Sequence, residues 1–370
     1  MKNSISAILF LSLLLFAHCD NGNGADVVVP PTNLTITTEV SSDGSGVVNI
    51  LADAENAKYF NFFFGDITSE SPTKRTLGAV SHVYKESGEY TVTVQAHADE
   101  TIFISDTKTI NVEIFISVPA TGYSTPDNYV GMNLVFADEF AGTSVNLDKW
   151  TFENGDGCPN VCGWGNNELE YYQPENSVLV DGSLVIEAKA EVVGSKSYSS
   201  SKLITKNNFN FKYGRIDVRA ALPEGQGLWP AIWMLGSNIS TVGWPACGEI
   251  DIMEMIGGNN RENTVHGTVH WDNAGFYASY GNDFSLSSGI FKDEFHVFTI
   301  IWDAEKIQWF VDDVQFNVID TRPSGLSEFR EDFYLLLNVA VGGNWPGNPD
   351  NNTSFPQRMF VDYVRVFQNQ

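Results

Sequence analysis

The chain is dominated by short segments in which apolar and polar residues alternate. In GEYTVTVQA (residues 88–96), the tyrosine and the valines would share one face of a strand, and the threonines would share the other. This period of two is typical of a half-buried antiparallel strand. No segment carries a sustained apolar period of 3.6 residues. The pattern therefore predicts an all-β protein.

Similar segments continue from residue 132 to the end of the chain. The strand candidates there are YGRIDVRAAL, LWPAIWML, GEIDIMEMI, NTVHGTVHW, HVFTIIWD, KIQWFVDDVQFNVI, YLLLNVAVGG and MFVDYVRVFQ. Residues 178–190 predict a hairpin that turns at Asp181-Gly182, because Asp-Gly favours two-residue hairpin turns. Many antiparallel strands bury one face by packing as two sheets. We expect a β-sandwich of jelly-roll type with a concave cleft.

Length and local composition divide the chain into parts. With 370 residues, the chain is long enough for two domains. The segment VPATGYSTPDNYVG combines Pro, Gly, Ser and Thr without periodicity, which is typical of a linker. We expect a small Ig-like β-sandwich at residues 30–118, a linker at 119–131 and the jelly-roll domain at 132–370.

The N-terminal residues predict export. MKNSISAILFLSLLLFAHC has one Lys and then an apolar run that is too short to span a bilayer. We expect a signal peptide at residues 1–18 and a tether at 19–29. Cys19 resembles the lipidated cysteine of bacterial lipoproteins, although His18 stands where a small residue is usual. The protein is then a lipoprotein of the outer membrane or cell surface, or, with ordinary cleavage, a secreted protein.

The charge balance narrows the class of partner. Forty-six Asp and Glu against 21 Lys and Arg give a formal charge of −25 and a pI near 4.4. Such a chain is repelled by nucleic acid and by anionic lipid surfaces. We expect a monomer that binds a neutral ligand, with no nucleic-acid partner and no membrane contact beyond a lipid at Cys19.

Cysteine and histidine spacing gives no sign of a transition-metal enzyme. The sequence has no paired Cys/His clusters with zinc spacing, and its six His include no H-E-x-x-H. In an exported protein, Cys158 and Cys162 of CPNVC are spaced to close a small disulfide loop. Free thiols or another pairing are the alternative.

The segment GEIDIMEM carries three acids among apolar residues that otherwise predict a buried strand. Burial of a carboxylate without a partner is costly, so three acids in such a strand indicate a functional role. Regular alternation would place Glu254 on the face opposite to Glu249 and Asp251. One β-bulge at Ile252 or Met253 would bring all three to the same face. The alternative is a solvated acidic strand or a calcium loop, for which the apolar residues are poorly suited.

Two carboxyl groups on one face of a sheet are suited to glycoside hydrolysis with retention of configuration. This reaction uses a nucleophile and an acid/base that lie about 5–5.5 Å apart. Crowded like charges make simultaneous ionisation costly, so one carboxyl keeps its proton near neutral pH, as the acid role requires.

Several motifs resemble glycoside hydrolase family 16. GEIDIMEMIGG has the bulged Glu-x-Asp-x-x-Glu signature of its laminarinase-like members, and FADEF, GWGNNELEYY, YGRIDVRAALPEGQGLWPAIWMLG, GTVHW, NVAVGGNWPG and FVDYVRVF match in order. The resemblance covers residues 132–370 and implies a retaining endo-β-1,3-glucanase. It implies Glu249 as nucleophile, Asp251 as its assistant and Glu254 as acid/base. Residues 30–118 resemble a polycystic-kidney-disease-type domain through FGD and the YTVTV ending.

Further residues are expected to line the cleft. Alternation in TVHGTVHW places His266, Thr268 and His270 in one polar row, and His270 matches the family position that contacts the catalytic carboxylates. Sugars offer flat apolar faces to aromatic rings. The aromatic candidates are Trp244 and Trp345 in loops, and Trp229 and Trp233, for which core packing is the alternative; Trp302 and Trp309 are assigned to the core. The resemblance adds Asn167, Arg219 and Asn338 as polar contacts.

Calcium is the only metal that the resemblance implies. The matching positions are Glu139, the Gly182 carbonyl and Asp362, which would form a structural clasp between the terminal strands of the domain. Surface acids without an ion are the alternative. We expect no cofactor for catalysis.

The sequence predicts an enzyme that hydrolyses internal β-1,3-glucosidic bonds of laminarin-type glucans. One alternative is a glucan-binding protein that has lost turnover, against which the intact acids argue. Another is the same fold acting on mixed-linkage glucan, agar or carrageenan. The sequence leaves open the exact glucan preference, the tolerance of branching and the role of the N-terminal domain.

Overall fold

The computed structural model describes residues 28–42, 44–67 and 69–370. The chain divides into two compact units between Phe115 and Ile116. Within the described ranges, no helix combines the length and the apolar character needed to cross a membrane. Cys19 and the signal peptide lie outside these ranges, so the lipid anchor stays a prediction.

The first unit is built from two small antiparallel sheets. Its strands are β1 (Thr32–Val40), β2 (Val47–Glu55), β3 (Tyr59–Phe63), β4 (Thr73–Arg75), β5 (Ala79–Val83), β6 (Gly88–His97) and β7 (Phe103–Val112). The strand orders are β1-β2-β5 and β4-β3-β6-β7. In β6, Val92 and Val94 are fully buried while Thr91 is exposed. The alternation predicted for this strand is confirmed.

The second unit contains the remaining strands and short helices. Its strands are β8 (Met132–Asp138), β9 (Thr151–Glu153), β10 (Glu170–Tyr172), β11 (Ser177–Val180), β12 (Ser183–Ala188), β13 (Tyr198–Ser200), β14 (Lys202–Ile204), β15 (Gly214–Ala221), β16 (Leu228–Gly236), β17 (Glu249–Glu254), β18 (Thr264–Asn273), β19 (Phe276–Ser285), β20 (His296–Trp302), β21 (Lys306–Val311), β22 (Val314–Asp320), β23 (Phe333–Val341) and β24 (Gln357–Asn369). The helices are one α-turn, α1 (Ile239–Val242), and 3₁₀ turns at Cys162–Gly165, Pro174–Asn176 and Ser324–Arg330.

Two large antiparallel sheets form the body of the second unit. The seven-stranded sheet has the order β19-β18-β17-β16-β23-β14-β9. The eight-stranded sheet has the order β11-β12-β24-β15-β20-β21-β22, with β8 also paired to β24. Apolar side chains from both sheets form one buried cluster, which includes Ile250 and Val269 of the first sheet and Ile216 and Val364 of the second. This is the two-layer sandwich that the alternation predicts.

Each segment that was predicted as a strand forms one or two strands, but several other strands, among them β1, β2, β7, β9 and β14, were not predicted. The segment KIQWFVDDVQFNVI forms two strands rather than one, because Asp312 and Asp313 both have positive φ and make a tight turn. Strand β19 was not predicted at all. It is an edge strand whose residues are mostly exposed on both faces, so it lacks the alternation that identifies a half-buried strand.

The predicted hairpin at Asp181-Gly182 is present. Strands β11 and β12 pair in register from Ser177 to Val180, and both turn residues have positive φ, at 47° and 76°. The predicted pattern of an Asp-Gly turn between two short strands is thus confirmed.

Residues 119–131, which the composition assigns to a linker, differ from that expectation. Gly122 forms a β-bridge to Phe295, and the Tyr129 hydroxyl donates to Asp217 Oδ2 at 2.8 Å. The backbone N–H of Thr125 donates to the Tyr363 hydroxyl at 2.9 Å. The segment therefore lies on the eight-stranded sheet as part of the second unit.

Candidate active site

The three acids of GEIDIMEM, Glu249, Asp251 and Glu254, share one face of β17. On β18, their partners are His270 for Glu249, Thr268 for Asp251 and His266 for Glu254. Partners that are two and four residues apart lie on the same face of a strand. The register shifts by one residue between Asp251 and Glu254, and it also shifts against β16. The predicted β-bulge is confirmed.

The bulge separates two environments along β17. Ile250, Ile252 and Met253 are buried in the core between the sheets. The acids point to the opposite face of the seven-stranded sheet, which we call the cleft face. From the core side, Trp309 Nε1 donates to the backbone carbonyl of Asp251 at 2.8 Å. The core thus fixes the backbone on which the acids are displayed.

Neutral indole groups donate to the two outer acids. Trp244 Nε1 donates to Glu249 Oε2 at 2.9 Å. Trp229 Nε1 donates to Glu254 Oε1 at 3.0 Å. An indole N–H stabilises a carboxylate without carrying a positive charge. Each acid is therefore oriented but not neutralised.

His270 faces the first two acids. Its Nε2 atom lies 3.1 Å from Asp251 Oδ2 and 3.8 Å from Glu249 Oε1. No donor in the described chain reaches Asp251 Oδ2 with hydrogen-bond geometry, so the contact with His270 is a close approach rather than a formed bond. The His270 Nδ1 atom lies 2.8 Å from the hydroxyl of Tyr277 on β19.

Burial raises the pKa of all three carboxyl groups. Burial, and then the charge of Asp251, raise the pKa of Glu249 to about 8. Burial raises the pKa of Asp251 well above its usual range. Burial together with the charges of Asp251 and Glu249 does the same to the pKa of Glu254. Raised pKa values favour a protonated carboxyl beside an ionised one, which is the state required of a general acid beside a nucleophile.

Two further tryptophans and an asparagine lie on the cleft face. Trp229 and Trp233 are partly exposed on β16, so the predicted shared face is confirmed and it is the cleft face. Trp233 Nε1 donates to Asn338 Oδ1 at 2.7 Å. The ring of Trp345 meets that of Trp229 edge to face, with centroids 5.6 Å apart. Trp302 and Trp309 are in the core, as predicted.

Asn167 lies in the loop before β10. Its Nδ2 atom donates to Asn344 Oδ1 at 2.9 Å, which joins this loop to the loop of Trp345. Cys158 and Cys162 form a disulfide at the start of the same loop. The sequence left open whether these two cysteines pair with each other, and in the structure they do.

The comparison with known protein families agrees with this geometry. The model of Glycosyl hydrolases family 16 matches residues 165–365, more than half of the chain. The chain belongs to glycosyl hydrolases family 16. The model of the PKD domain matches residues 21–101.

Curated relatives and solved structures match 64–70% of the chain. The Clotting factor G alpha subunit of Tachypleus tridentatus is 39% identical over 238 residues, 64% of this chain and 34% of that protein. The chain thus spans 34% of the length of that relative. The Beta-glucanase of Rhodothermus marinus is 37% identical over 272 residues, 70% of this chain and 92% of the relative. The endo-beta-1,3-glucanase structure from Pyrococcus furiosus is 44% identical with a TM-score of 0.61, covering 65% and 95% of the two chains.

The prediction that Arg219 contacts substrate in this family 16 domain is wrong. Arg219 lies on β15 of the eight-stranded sheet, on the face that is covered by residues 119–131. Its Nη1 atom donates to Asp362 Oδ2 at 2.8 Å and its Nε to the Tyr123 carbonyl. The family motif located the strand, but the strand belongs to the other sheet.

The backbone brings the predicted calcium positions of the family 16 domain together. Strands β12 and β8 pair with successive parts of β24, so Gly182 precedes β12 and Glu139 follows β8 where Asp362 lies between them. Oxygen ligands of this kind suit calcium. Both carboxylates are in ion pairs, Glu139 with Arg365 and Asp362 with Arg219. The calcium site stays a prediction.

A buried polar network below the cleft face was missed. Glu170 is fully buried, accepts a hydrogen bond from the backbone N–H of Val341 at 2.7 Å, and adjoins Glu168. The Tyr172 hydroxyl lies 3.3 Å from Glu168 Oε2 and accepts from Asn338 Nδ2 at 3.1 Å. The network leads through Asn338 to Trp233. The motif GWGNNELEYY contains three of its members, but their burial has no signal in the sequence.

The Tyr277 hydroxyl and the Lys202 ammonium were also missed. Tyr277 lies on the unpredicted strand β19. Lys202 lies on β14, with its Nζ atom 4.4 Å from the ring centre of Trp164 and 5.1 Å from that of Trp233. Glu153 Oε2 pairs with the Lys202 ammonium at 2.8 Å. A strand of three residues is too short to show a period, so sequence patterns do not reveal this cluster.

Proposed function

We propose that the protein is a retaining endo-β-1,3-glucanase that hydrolyses laminarin-type β-glucans. The observation that carries this proposal is the bulge in β17, which presents Glu249, Asp251 and Glu254 on one face with raised pKa values and with indole N–H donors to the two glutamates. Two carboxyl groups that share protons on one face are the equipment of a retaining glycosidase.

In the first step, Glu249 attacks the anomeric carbon and Glu254 gives its proton to the glycosidic oxygen. The bond from the anomeric carbon to that oxygen breaks, a bond to the Glu249 oxygen forms, and the reducing-end fragment leaves as an alcohol. Trp244 stabilises Glu249 as the carboxylate. Burial beside two acids supplies the protonated form of Glu254.

In the second step, Glu254 acts as the base. It takes a proton from water as the water oxygen attacks the anomeric carbon, and Glu249 is released as a carboxylate. Two displacements at the same carbon restore the original configuration. Asp251 lies between the two groups, where a shared proton moderates the charge that Glu249 regains.

The tryptophans of the cleft face bind the substrate. Trp244 and Trp345 are 52% and 41% exposed, which leaves ring surface free for sugar faces. Asn167 supplies an amide beside the loop of Trp345, and Asn338 supplies one beside Trp233. The absence of arginine contacts to the three acids is consistent with a neutral polymer, because a cationic site would instead favour a charged substrate.

A product profile tests this proposal. Laminarin, lichenan and agarose are each incubated with the protein, and the anomeric proton of new reducing ends is followed by NMR. We expect laminarin oligosaccharides of several lengths and β-anomers as first products. First products of α configuration contradict retention, agarose as the preferred substrate contradicts the glucan assignment, and binding to laminarin without turnover indicates the glucan-binding alternative.

Two proposals concern parts outside the catalytic centre. A structural calcium at Glu139, the Gly182 carbonyl and Asp362 would bind both carboxylates, which also pair with Arg365 and Arg219, and would hold the ends of β8 and β12 against β24. We expect calcium to raise the melting temperature, and Asp362→Asn to abolish that increase. A lipid at Cys19 would anchor the exported protein, and Cys19→Ser would release it into the medium.

A further inference from the structure

Tyr277 contacts both side chains that face the nucleophile. Its hydroxyl lies 2.8 Å from His270 Nδ1. Its ring packs on that of Trp244, with centroids 5.4 Å apart and an angle of 31° between the planes. Trp244 donates to Glu249, while His270 Nε2 faces Glu249 and Asp251. Tyr277 is therefore joined to the catalytic acids through two different groups.

The hydroxyl at Nδ1 and the acids at Nε2 together favour one tautomer of His270, because a hydroxyl can donate to a ring nitrogen whereas a carboxylate can only accept. A neutral imidazole carries one proton, and the partner at one nitrogen determines which nitrogen holds it. A hydroxyl that donates to Nδ1 leaves the proton on Nε2, where it points towards Asp251 Oδ2 and Glu249 Oε1. The opposite tautomer would turn a lone pair towards two carboxyl groups. We infer that Tyr277 is a positioning residue that holds His270 in the Nε2–H form.

The packing of the rings supports this role. The rings of Tyr277 and His270 are stacked, with centroids 5.7 Å apart and 21° between their planes. The His270 side chain is 19% exposed, so its environment is mostly protein. Rotation of the imidazole would break the contact at Nδ1 and unstack the rings. The ring position is thus restrained, and Nε2 stays 3.1 Å from Asp251 Oδ2 and 3.8 Å from Glu249 Oε1.

Nitrogen NMR tests the tautomer directly. In the wild-type protein, long-range ¹H–¹⁵N correlations of His270, assigned by comparison with His270→Gln, should show the Nε2–H tautomer. In Tyr277→Phe, the same signals should shift towards a mixture of tautomers. An unchanged His270 pattern in Tyr277→Phe overturns the inference. This measurement needs no turnover, so it stands independently of the proposed function.

Steady-state kinetics test whether the tautomer of His270 matters for turnover, a test that rests on the proposed glucanase activity. Tyr277→Phe should lower kcat on laminarin by about threefold to tenfold, the scale of one hydrogen bond, with little change in KM. The effect should disappear in a His270→Gln background. The matched control is Tyr280→Phe on the same strand, opposite Val269 on the core side, which should behave as the wild type. A rise in KM with unchanged kcat assigns Tyr277 to sugar binding and overturns the inference.

Discussion

The two sheets of the family 16 domain treat carboxylates in opposite ways. On the eight-stranded sheet, acids are paired with arginines: Asp217 with Arg215, Asp362 with Arg219, Glu187 with Arg358 and Glu139 with Arg365, all with N to O distances of 2.7–2.8 Å. On the cleft face of the seven-stranded sheet, Glu249 and Glu254 of β17 accept from indole N–H groups, and His270 Nε2 lies 3.1 Å from Asp251 Oδ2.

The difference shows what each set of acids contributes. An arginine holds a carboxylate ionised and makes it part of the scaffold. Indole donors leave the charge in place, so burial raises the pKa values and the protons remain exchangeable. The Arg-paired acids are suited to stability and the β17 acids to proton transfer. The predictions below test that division, first on the cleft face and then on the other sheet.

The largest effect should follow removal of the nucleophile. Glu249→Gln should reduce kcat on laminarin on the order of 10⁵-fold, because the covalent route is lost. The amide still accepts from Trp244 Nε1, so the melting temperature should change little and oligosaccharide binding should persist. Steady-state kinetics and calorimetry measure the two parts. Wild-type turnover in the pure variant would show that the acids of β17 are not the catalytic group.

The next effect concerns Glu254 and pH. Glu249 must be ionised and Glu254 protonated, so kcat/KM should follow a bell whose limbs lie above the usual carboxyl pKa, because both pKa values are raised. Glu254→Gln should lower kcat on laminarin by about 10²–10⁴-fold. An activated aryl glycoside has a leaving group that needs no general acid. With this substrate, the pH profile of kcat/KM for Glu254→Gln should lose its alkaline limb.

Retention of the alkaline limb in that variant would assign it to another group. Asp251→Asn provides the matched control on the same face. It should cost less activity than either Glu change and should leave both limbs present.

On the other sheet, the same kind of substitution should affect stability. Asp217 is fully buried and bonded to Arg215 Nε, Thr299 Oγ1 and the Tyr129 hydroxyl. Asp217→Asn should destabilise the second unit by about 3 kcal/mol, because the mostly buried Arg215 guanidinium loses its buried charge partner and keeps only Asp313, which is more exposed. Calorimetry measures the loss, and kcat at a temperature where the variant is folded should be unchanged.

The exposed pair of Asp320 and Arg322 is the control for this effect. Its side chains are 50% and 64% exposed, so Asp320→Asn should leave the melting temperature unaltered. Equal losses in the two variants would mean that burial does not distinguish these ion pairs.

A smaller loss of stability is expected when residues 119–131, which lie on the eight-stranded sheet, are removed. A chain starting at Ile116 keeps the contacts of Gly122, Thr125 and Tyr129, whereas a chain starting at Met132 removes them and exposes the arginines beneath. The shorter chain should be less stable by about 2 kcal/mol, from the loss of several hydrogen bonds. Equal melting temperatures for the two chains would restore the interpretation of residues 119–131 as a linker.

The sequence was sufficient for features that depend on local pattern. Alternation identified most strands, Asp-Gly identified the turn at residues 181–182, and the spacing of Glu254 from Glu249 required the bulge. Features that depend on which strands become neighbours were not accessible. The family resemblance assigned Arg219 as a polar contact to the substrate. The strand order β24-β15-β20 places it on the other sheet. Strand β19 and Tyr277 were missed because an edge strand has no buried face to impose a period.

The smallest predicted effect is a pH dependence of stability that arises from Glu170. This buried acid of the second unit has no arginine partner among the described residues, so it tests the comparison between acids with and without such a partner. Burial, and then the charge of Glu168, raise its pKa well above the usual range, so the folded protein keeps a proton that the unfolded chain releases above pH 4.5. The unfolded state therefore binds fewer protons, and stability falls as pH rises through this range. Glu170→Gln does not titrate, and its amide N–H replaces the carboxyl proton facing Glu168. Between pH 6 and 7, the variant should gain up to about 1.4 kcal/mol relative to the wild type, measured by calorimetry at both pH values. A difference that does not change with pH would mean that Glu170 is ionised in the folded protein and that an arginine is not needed to keep a buried carboxylate charged.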